Sequence, residues 1–105
     1  MWRKAMIIAA TVSLTACTWV KLTPEGEKVR VLSAAEVSKC RVVGKTTVSL
    51  AAKVLGIERH PEDVQNELNM LARNSAVDLR GDTVVPIAPP VDGKQVFTVY
   101  RCMPE

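Results

Sequence analysis

The sequence predicts an α+β domain in which a small sheet of three to four strands packs with one main helix, in the order β-β-α-β-β, with one disulfide. Three observations lead to this prediction. One long segment carries apolar residues at helical spacing, shorter segments on both sides alternate or are rich in β-branched residues, and two cysteines remain as a pair once a third is accounted for. At 105 residues the chain supports a single domain.

The first segment of the chain has the features of an export signal. Arg3 and Lys4 precede an uncharged stretch from Ala5 to Val12, which matches the charged and apolar regions of a secretory signal. The following residues, Leu14-Thr15-Ala16-Cys17, resemble the bacterial lipobox, in which the cysteine thiol receives a diacylglyceryl group and the chain is cut in front of it. The resemblance implies a signal peptide over residues 1–16 and a lipid anchor on Cys17, with acyl chains such as palmitate.

The alternative interpretation of this segment is an uncleaved transmembrane helix. The uncharged run between Lys4 and Lys21 covers residues 5–20, which is shorter than the roughly 20 residues that a membrane span requires. The lipobox is therefore preferred. Thr18 follows Cys17 at the position where an Asp retains enterobacterial lipoproteins in the inner membrane. The resemblance thus implies an outer-membrane anchor with the domain facing the periplasm.

The segment after Cys17 begins with a tether and continues into two predicted strands. Residues 17–27 are interpreted as a lipidated linker because Thr23-Pro24-Glu25-Gly26 is a turn sequence, which leaves residues 28–105 as the periplasmic domain. Residues 28–32 alternate as a half-buried strand, and Ser33-Ala34-Ala35-Glu36 has the form of a capping box. Residues 40–50 are rich in β-branched residues and form the second strand, in which Gly44 predicts a bulge or a close backbone approach.

The main helix is predicted to begin at His60-Pro61-Glu62-Asp63, with Pro at its first position and two acids beside the positive end of its dipole. Residues 51–59, before it, are interpreted as a loop. Gly81 is expected to end the helix in a left-handed cap. The buried stripe of this helix is predicted to contain Val64, Leu68, Leu71, Ala72 and Leu79.

Two further strands are predicted after the helix. Residues 83–87 form the third strand, and Pro86 cannot donate a ladder hydrogen bond, so this end of the strand is expected at a sheet edge. Residues 88–93 are interpreted as a loop with a Gly-containing turn. Residues 95–102 alternate as the last strand, which ends at Cys102.

The charge balance argues against nucleic acid as a partner. The chain has 14 Lys and Arg against 11 Asp and Glu, but loss of Arg3 and Lys4 with the signal leaves 12 against 11, a net charge of +1. Such a surface offers no positive stripe for a phosphate backbone. Besides two Trp residues, Phe97 and Tyr100 are the only aromatic residues, which is too few for a base-stacking platform.

Lipidation of Cys17 leaves Cys40 and Cys102 as a pair. In an oxidising compartment the two are expected to form a structural disulfide, and both lie at ends of strands that can be neighbours. The alternative is a soft metal site, whose ligands would be Cys40, Cys102, His60 and either Met70 or Met103. No two of these residues stand at a typical ligand spacing, so no metal or other cofactor is expected.

No catalytic residue is predicted. His60 is the only histidine, and no Asp with Ser or Cys is arranged around it in the sequence as in a catalytic triad. The carboxylates are scattered and do not pair. The chain is therefore not expected to be an enzyme.

Two stretches carry a resemblance to a known family. One runs from Val37 to Gly44, with Cys40 four residues before the glycine, and the other is the helix-to-strand segment from Leu71 to Val85. Both are similar to a family of small bacterial lipoproteins of unknown function, itself related to the RcsF outer-membrane stress sensor. The resemblance implies a small sheet beside the helix, with one disulfide joining an early strand to the last.

The chain also departs from that stress sensor. The sensor carries two disulfides in its folded domain and a long Pro-rich, basic linker, whereas this sequence has one candidate pair and a short tether. The resemblance therefore extends to fold and location and not to the signalling mechanism. The features together predict an envelope lipoprotein that is held on a membrane by Cys17 and acts as a binding or sensing module, with an envelope protein as its partner. Small-ligand or metal binding is the alternative function.

Overall fold

The computed structural model describes residues 20–50, 53–54, 57–58 and 60–104. The predicted signal peptide and Cys17 lie outside the described residues, so lipidation stays a prediction. Within the described part of the chain, no helix is both long and apolar enough to span a bilayer.

A four-stranded mixed sheet packs against one main helix. Its strands lie in the order β1-β5-β6-β2, with β1 parallel to β5 and the other neighbours antiparallel. This confirms the predicted α+β fold class. In chain order the elements are β1 (Arg30–Val31), β2 (Arg41–Ser49), β3 (Lys53–Val54), β4 (Ile57–Glu58), helix α1 (Pro61–Asp78), β5 (Thr83–Pro86) and β6 (Lys94–Arg101).

The prediction of a loop over residues 51–59 is wrong at residues 53–54 and 57–58, the part of this range that the structure describes. Strands β3 and β4 pair as an antiparallel hairpin, with Lys53 opposite Glu58 and Val54 opposite Ile57. The β-branched Val54 and Ile57 favour extended backbone. An alternation only two residues long on each side is too short to recognise as a strand from the sequence.

The core lies between α1 and one face of the sheet. Along β6 the side chains of Gln95, Phe97 and Val99 are buried, while the alternate residues are half-buried. Phe97 and Val99 belong to an apolar cluster with Val84 of β5 and with residues of α1. The buried apolar residues of α1 are Val64, Leu68, Ala72 and Ala76.

Two positions of the predicted helix stripe differ from the structure. Leu71 is half-buried and packs against the core, whereas Leu79 lies beyond the last helical residue and remains 38% exposed. Ala76 takes the fully buried position instead. The stripe continues from Leu68 in steps of four residues, and the small Ala side chains allow the helix to approach the sheet closely.

Arg80, and not Gly81, is the left-handed residue that ends the helix. Arg80 has a φ of 62°, its N–H donates to the carbonyl of Val77, and the N–H of Gly81 donates to the carbonyl of Ala76. These two bonds form a Schellman motif. Gly81 is needed for a different reason, because a Cβ at this position would collide with Cγ1 of Val99.

The two faces of the sheet are covered by two different crossovers. Strands β1, β2 and β5 run parallel to one another, because β6 is antiparallel to both β5 and β2. The chain crosses the sheet from β1 to the opposite edge at β2, and then returns to β5 through α1. Right-handed crossovers in opposite directions lie on opposite faces. This rule places the connection from β1 to β2, residues 32–40, on the face away from α1.

Burial on this second face supports that arrangement. Thr83 and Val85 point away from Val84, which faces the helix, yet Thr83 is fully buried and Val85 is only 6% exposed. Val37, in a 3-10 turn at Ala34–Val37, is buried as well and lies outside the main apolar cluster. The second face therefore carries a small apolar layer of its own.

Three local predictions are confirmed. The N–H and hydroxyl of Ser33 both donate to Oε1 of Glu36, at 2.8 and 2.9 Å, and the backbone hydrogen bond in particular holds the pKa of Glu36 below its usual value. The pairing of β2 with β6 shifts register between Val42 and Gly44, as the predicted bulge requires. Pro86 lies beyond the last residue of β5 that pairs with β1. This end of β5 therefore pairs only with β6, and its other side is a sheet edge, as predicted.

Part of the predicted tether is docked on the domain. The turn at Thr23–Gly26 continues into a 3-10 turn at Gly26–Lys28, and Gly26 is buried. Asn74 of α1 bonds to both Thr23 and Lys21. Within the described residues, the packed region therefore begins several residues before the expected boundary at residue 28.

Candidate functional site

The predicted disulfide joins Cys40 and Cys102, and the two Cα atoms lie 4.4 Å apart. The cysteines flank the last pair of the β2–β6 ladder, in which Arg41 is opposite Arg101. Strands β2 and β6 are direct neighbours, which satisfies the distance that a disulfide demands. The bond thus closes the end of the sheet at which β2 begins and β6 ends.

Asp82, in the connection between α1 and β5, also stabilises this end of the sheet. Its carboxylate accepts the backbone N–H groups of Cys102 and Met103, both at 2.8 Å, and the hydroxyl of Thr83 at 3.0 Å. Burial alone would raise the pKa of Asp82, but these hydrogen bonds and the guanidinium of Arg101 together hold the pKa below its usual value. Asp82 is therefore a structural anion with its acceptor sites in use.

The residues of the alternative metal site do not form one in the described part of the chain. Both thiols are oxidised to the disulfide and are not available as thiolate ligands. His60 is exposed at the N-cap of α1 and makes no side-chain hydrogen bond to the helix. Among the described residues, no group of three or more His, Cys, Asp or Glu side chains could hold a metal ion.

A depression of about 250 Å³ lies between the N-terminal segment and the end of the helix. Charged residues dominate its lining, among them Glu25, Lys28 and Arg101. The guanidinium of Arg101 is already engaged, because it donates to the carbonyls of Met103 and Arg80. This depression offers little unsatisfied chemistry to a ligand.

A larger and more apolar groove, of about 490 Å³, lies at the other end of the sheet. It opens on the face away from α1, where Thr47 of β2 and Val96 of β6 are paired across the ladder. The connection between β5 and β6 forms its wall. The apolar residues of that wall are Ile87, Ala88, Pro89 and Val91.

The wall of the groove is exposed and yet firmly positioned. Ile87 is 53% exposed and Val91 is 69% exposed. The buried Gln95 donates from Nε2 to the carbonyl of Ala88 at 2.8 Å, and its Oε1 accepts a hydrogen bond from Gln65 of α1, also at 2.8 Å. This polar link from α1 fixes the connection that presents the apolar side chains.

A tight turn completes the wall. Asp92 and Gly93 have φ values of 50° and 74°, and Val91 and Lys94 exchange two backbone hydrogen bonds of 2.9 Å around them. This is the geometry of a two-residue hairpin turn with two left-handed residues, for which Asp-Gly is a favoured sequence. The turn was predicted from the sequence, whereas the groove was not. The sequence did contain a signal for the groove. Ile87 and Val91 lie on either side of two prolines, and a connection on the surface does not need such apolar residues.

Beside the groove, β2 presents an outer edge that no strand of the described residues covers. The N–H of Leu50 donates to the carbonyl of Gly93, which sets the alternation of the β2–β6 ladder. The backbone groups of Gly44, Thr46 and Val48 accordingly face β6. The N–H and C=O groups of Lys45, Thr47 and Ser49 therefore point outward, and Thr47 also lines the groove.

Most of the chain is similar to a known protein family and to a solved structure. A family described as "Domain of unknown function (DUF4156)" matches residues 20–102. No curated protein matches the chain significantly. Among solved structures, the chain is 26% identical to the secreted protein STM0082 of Salmonella typhimurium LT2, solved by NMR in solution, over 97% of this chain and 91% of that chain. The TM-score of this structural match is 0.46.

Proposed function

The chain belongs to the DUF4156 family of domains of unknown function, and we propose that it is an envelope lipoprotein whose domain binds an extended segment of another envelope protein. In this proposal the lipid on Cys17 holds the protein on the outer membrane and the domain faces the periplasm. The resemblance to the lipoprotein family related to the RcsF sensor stays a prediction, since none of the comparisons tests it.

The lipid anchor is supported by the sequence. Leu14-Thr15-Ala16-Cys17 has the residue types of a lipobox, directly after a basic and then an uncharged segment. The oxidised pair Cys40–Cys102 in the folded domain is consistent with export, because structural disulfides persist in oxidising compartments. It also leaves Cys17 as the one cysteine outside the disulfide.

One observation carries the binding proposal, and it is the apolar groove next to the uncovered edge of β2. An extended peptide can add a strand to such an edge, where main-chain hydrogen bonds supply affinity and every second side chain reaches a pocket. At β2 the outward groups of Lys45, Thr47 and Ser49 would make the main-chain bonds. Alternate side chains of the peptide would then lie on the side of Thr47 and the groove.

We propose that the module acts without catalysis. The two thiols are joined in the disulfide, and Asp82 accepts hydrogen bonds from backbone N–H groups and a hydroxyl. His60 stands exposed at the start of α1. These three residue types would be the first candidates for a nucleophile, an acid or a base, and here each has a structural role or an isolated position.

Site-specific photocrosslinking in intact cells tests the proposal. A photoreactive phenylalanine analogue at Val91, in the groove, should give a discrete crosslinked band with one envelope protein. The same group at Val31, on the opposite edge of the sheet and 37% exposed, is the matched control and should not give that band.

Two variants make the test specific to the groove and the edge. Ile87→Asp places a charge in the groove, and Thr47→Pro removes an outward N–H without removing a bond to β6. Both should abolish the band while thermal unfolding shows a folded domain. Identical bands from positions 91 and 31, or a band that survives both variants, would rule out the proposed site.

A small apolar ligand is the second candidate, because about 490 Å³ lies within the range of small-molecule pockets. Native mass spectrometry of the periplasmic domain purified from the envelope distinguishes the two. A small ligand predicts a bound mass that Ile87→Asp removes and Thr47→Pro preserves. A strand-adding peptide requires both residues, and it predicts that the purified domain carries no such mass.

A further inference from the structure

The first described residues form a segment, Val20–Lys28, that we call the N-terminal strap. Asn74 of α1 holds the strap at two points. Its Oδ1 accepts the N–H of Thr23 at 3.0 Å and the hydroxyl of Thr23 at 3.1 Å, and its Nδ2 donates to the carbonyl of Lys21 at 2.9 Å. One amide side chain therefore uses both its donor and its acceptor to fix the strap on the helix.

Arg73 and Gly26 hold the rest of the strap. The guanidinium of Arg73 donates to the carbonyl of Val29 at 2.8 Å and to that of Glu27 at 3.0 Å. Gly26 lies so close to Asn74 that a Cβ at this position would collide with Oδ1 of the amide. The strap is thus fitted to α1 and is not a loose linker.

The strap leaves little chain between the domain and the proposed lipid. Lys21 is bound by Asn74, and Cys17 is four residues earlier. Four residues span at most about 14 Å when fully extended, of which roughly 6 Å lies within the headgroup layer. A lipid on Cys17 would therefore hold the bound end of the strap within about 8 Å of the membrane surface.

The strap also determines which side of the domain is near that surface. It runs into Val29 and then directly into β1, which forms one edge of the sheet. Strand β2 forms the other edge, three strand spacings or about 14 Å away. The outer edge of β2 consequently lies on the side far from the anchor, and the groove opens on the face away from α1, the helix on which the strap is docked.

We infer that the strap seats the domain on the bilayer in one orientation, with the β1 edge toward the lipid headgroups and the β2 edge toward the periplasm. The inference rests on the proposed lipidation of Cys17. Its consequence is that the groove is presented to a partner away from the membrane, although the chain between lipid and domain is short.

The short chain, and not charge, produces this orientation. The strap contains Lys21 and Lys28 together with Glu25 and Glu27, so its net charge is zero. Attraction between exposed charges and anionic lipids is screened by salt, whereas a covalent reach is not. The orientation should therefore be the same at low and at high ionic strength.

Fluorescence quenching on vesicles tests the inference. The lipidated protein is reconstituted in vesicles of phosphatidylethanolamine and phosphatidylglycerol that contain a nitroxide-headgroup lipid. A fluorophore is placed on one added cysteine, either at Glu25 in the strap or at Lys45 on β2, both exposed. Quenching should be several-fold stronger at position 25, with no change on adding salt.

Variants that release the strap provide the controls. Asn74→Ala removes its three hydrogen bonds and should reduce the difference between the two positions, while Asn74→Asp keeps the acceptor and should retain most of it. A Gly/Ser insertion of roughly 12 residues after Trp19 adds about 20 Å of flexible reach. It leaves the folded domain unchanged and should abolish the difference.

The outcomes separate this inference from the proposed function. Intact mass spectrometry without the added mass of acyl chains would overturn both the lipoprotein assignment and the orientation. Lipidated protein with equal quenching at positions 25 and 45, or with a difference that survives the insertion, would overturn the orientation alone.

Discussion

Asp82 shows how a single carboxylate connects elements that are distant in the sequence. It follows the end of α1, and it accepts backbone N–H groups from Cys102 and Met103, 20 and 21 residues later. Its neighbour Thr83 contributes a hydroxyl, and Arg101 lies 3.9 Å away. The charged form of Asp82 is the one that all these partners stabilise.

The stability of the domain should therefore depend on the ionisation of Asp82. Its pKa in the folded state is lowered, so its contribution is complete above the unfolded value near 4 and disappears as the pH falls through the lower folded value. Asp82→Asn should reduce the free energy of unfolding by about 1 to 2 kcal/mol at pH 7. Urea unfolding of both proteins between pH 7 and acidic pH measures this difference.

The difference between the wild type and Asp82→Asn should shrink on acidification, because the protonated carboxyl has lost its charge as well. Asp92→Asn is the matched control, since Asp92 is exposed and Asn also accepts the left-handed backbone found there. A constant difference at all pH values would show that the charge of Asp82 is not the stabilising feature.

At the scale of elements, two neighbouring residues at the end of α1 have different roles, although the sequence predicted the left-handed cap at Gly81. Arg80 takes the left-handed backbone, and Gly81 provides the space for Val99. A non-glycine residue in the left-handed region carries a steric cost, whereas a side chain at a site of close approach displaces its neighbours. The two positions should thus respond to substitution in opposite directions.

Arg80→Gly should raise the free energy of unfolding by about 0.5 to 1 kcal/mol, because glycine adopts the left-handed backbone without strain. Gly81→Ala should lower it by about 1 to 3 kcal/mol through overpacking against Val99. Urea denaturation of the two variants measures both effects. If Gly81→Ala is neutral and Arg80→Gly destabilises the protein, the assignment of the two roles is wrong.

At the scale of the whole molecule, the disulfide closes a large part of the fold. Cys40 and Cys102 are 62 positions apart in the sequence, and the segment between them includes α1 and the strands β2, β5 and β6. Cross-linking such a loop removes conformations from the unfolded chain, which in the loop-entropy account is worth about 4 kcal/mol. A small domain with a modest core depends on a contribution of this size.

Cys40→Ser and Cys102→Ser should each lower the stability by about 2 to 4 kcal/mol, which corresponds to a fall in melting temperature of roughly 10 to 20 °C. The two single variants and the double variant should behave alike, since each removes the same bond. Thermal unfolding checks the size of the effect. An unchanged melting temperature, or two reactive thiols after alkylation of protein taken directly from the periplasm, would contradict this prediction.

Much of the fold was accessible from local patterns in the sequence. The β-branched run before the helix, the Pro at its start and the alternation up to Cys102 correctly predicted β2, α1 and β6. The capping box at Ser33 and the bulge at Gly44 were predicted as well. Each of these depends on backbone preferences within a few residues, which act before any long-range contact forms.

Positions that depend on distant neighbours were predicted less well. Leu79 has helical spacing but lies past the last helical residue, and Ala76 takes the buried place because the sheet is close to the helix there. The hairpin of β3 and β4 has strands of two residues, too short for a pattern. The exposure of Leu79 depends on where α1 ends, and the hairpin depends on how the chain turns before α1. Residue type and spacing determine neither of them.

The sequence by itself determined the α+β class, the two cysteines that pair and the residues that resemble a lipobox, because these depend on composition, periodicity and short motifs. Only the tertiary structure decided the strand order β1-β5-β6-β2, the groove beside the edge of β2 and the docking of the strap on Asn74. Each joins segments tens of residues apart in the chain. Such contacts are selected by the packing of the whole domain, since a surface groove or a bound strap leaves no periodic pattern in the residues that form it.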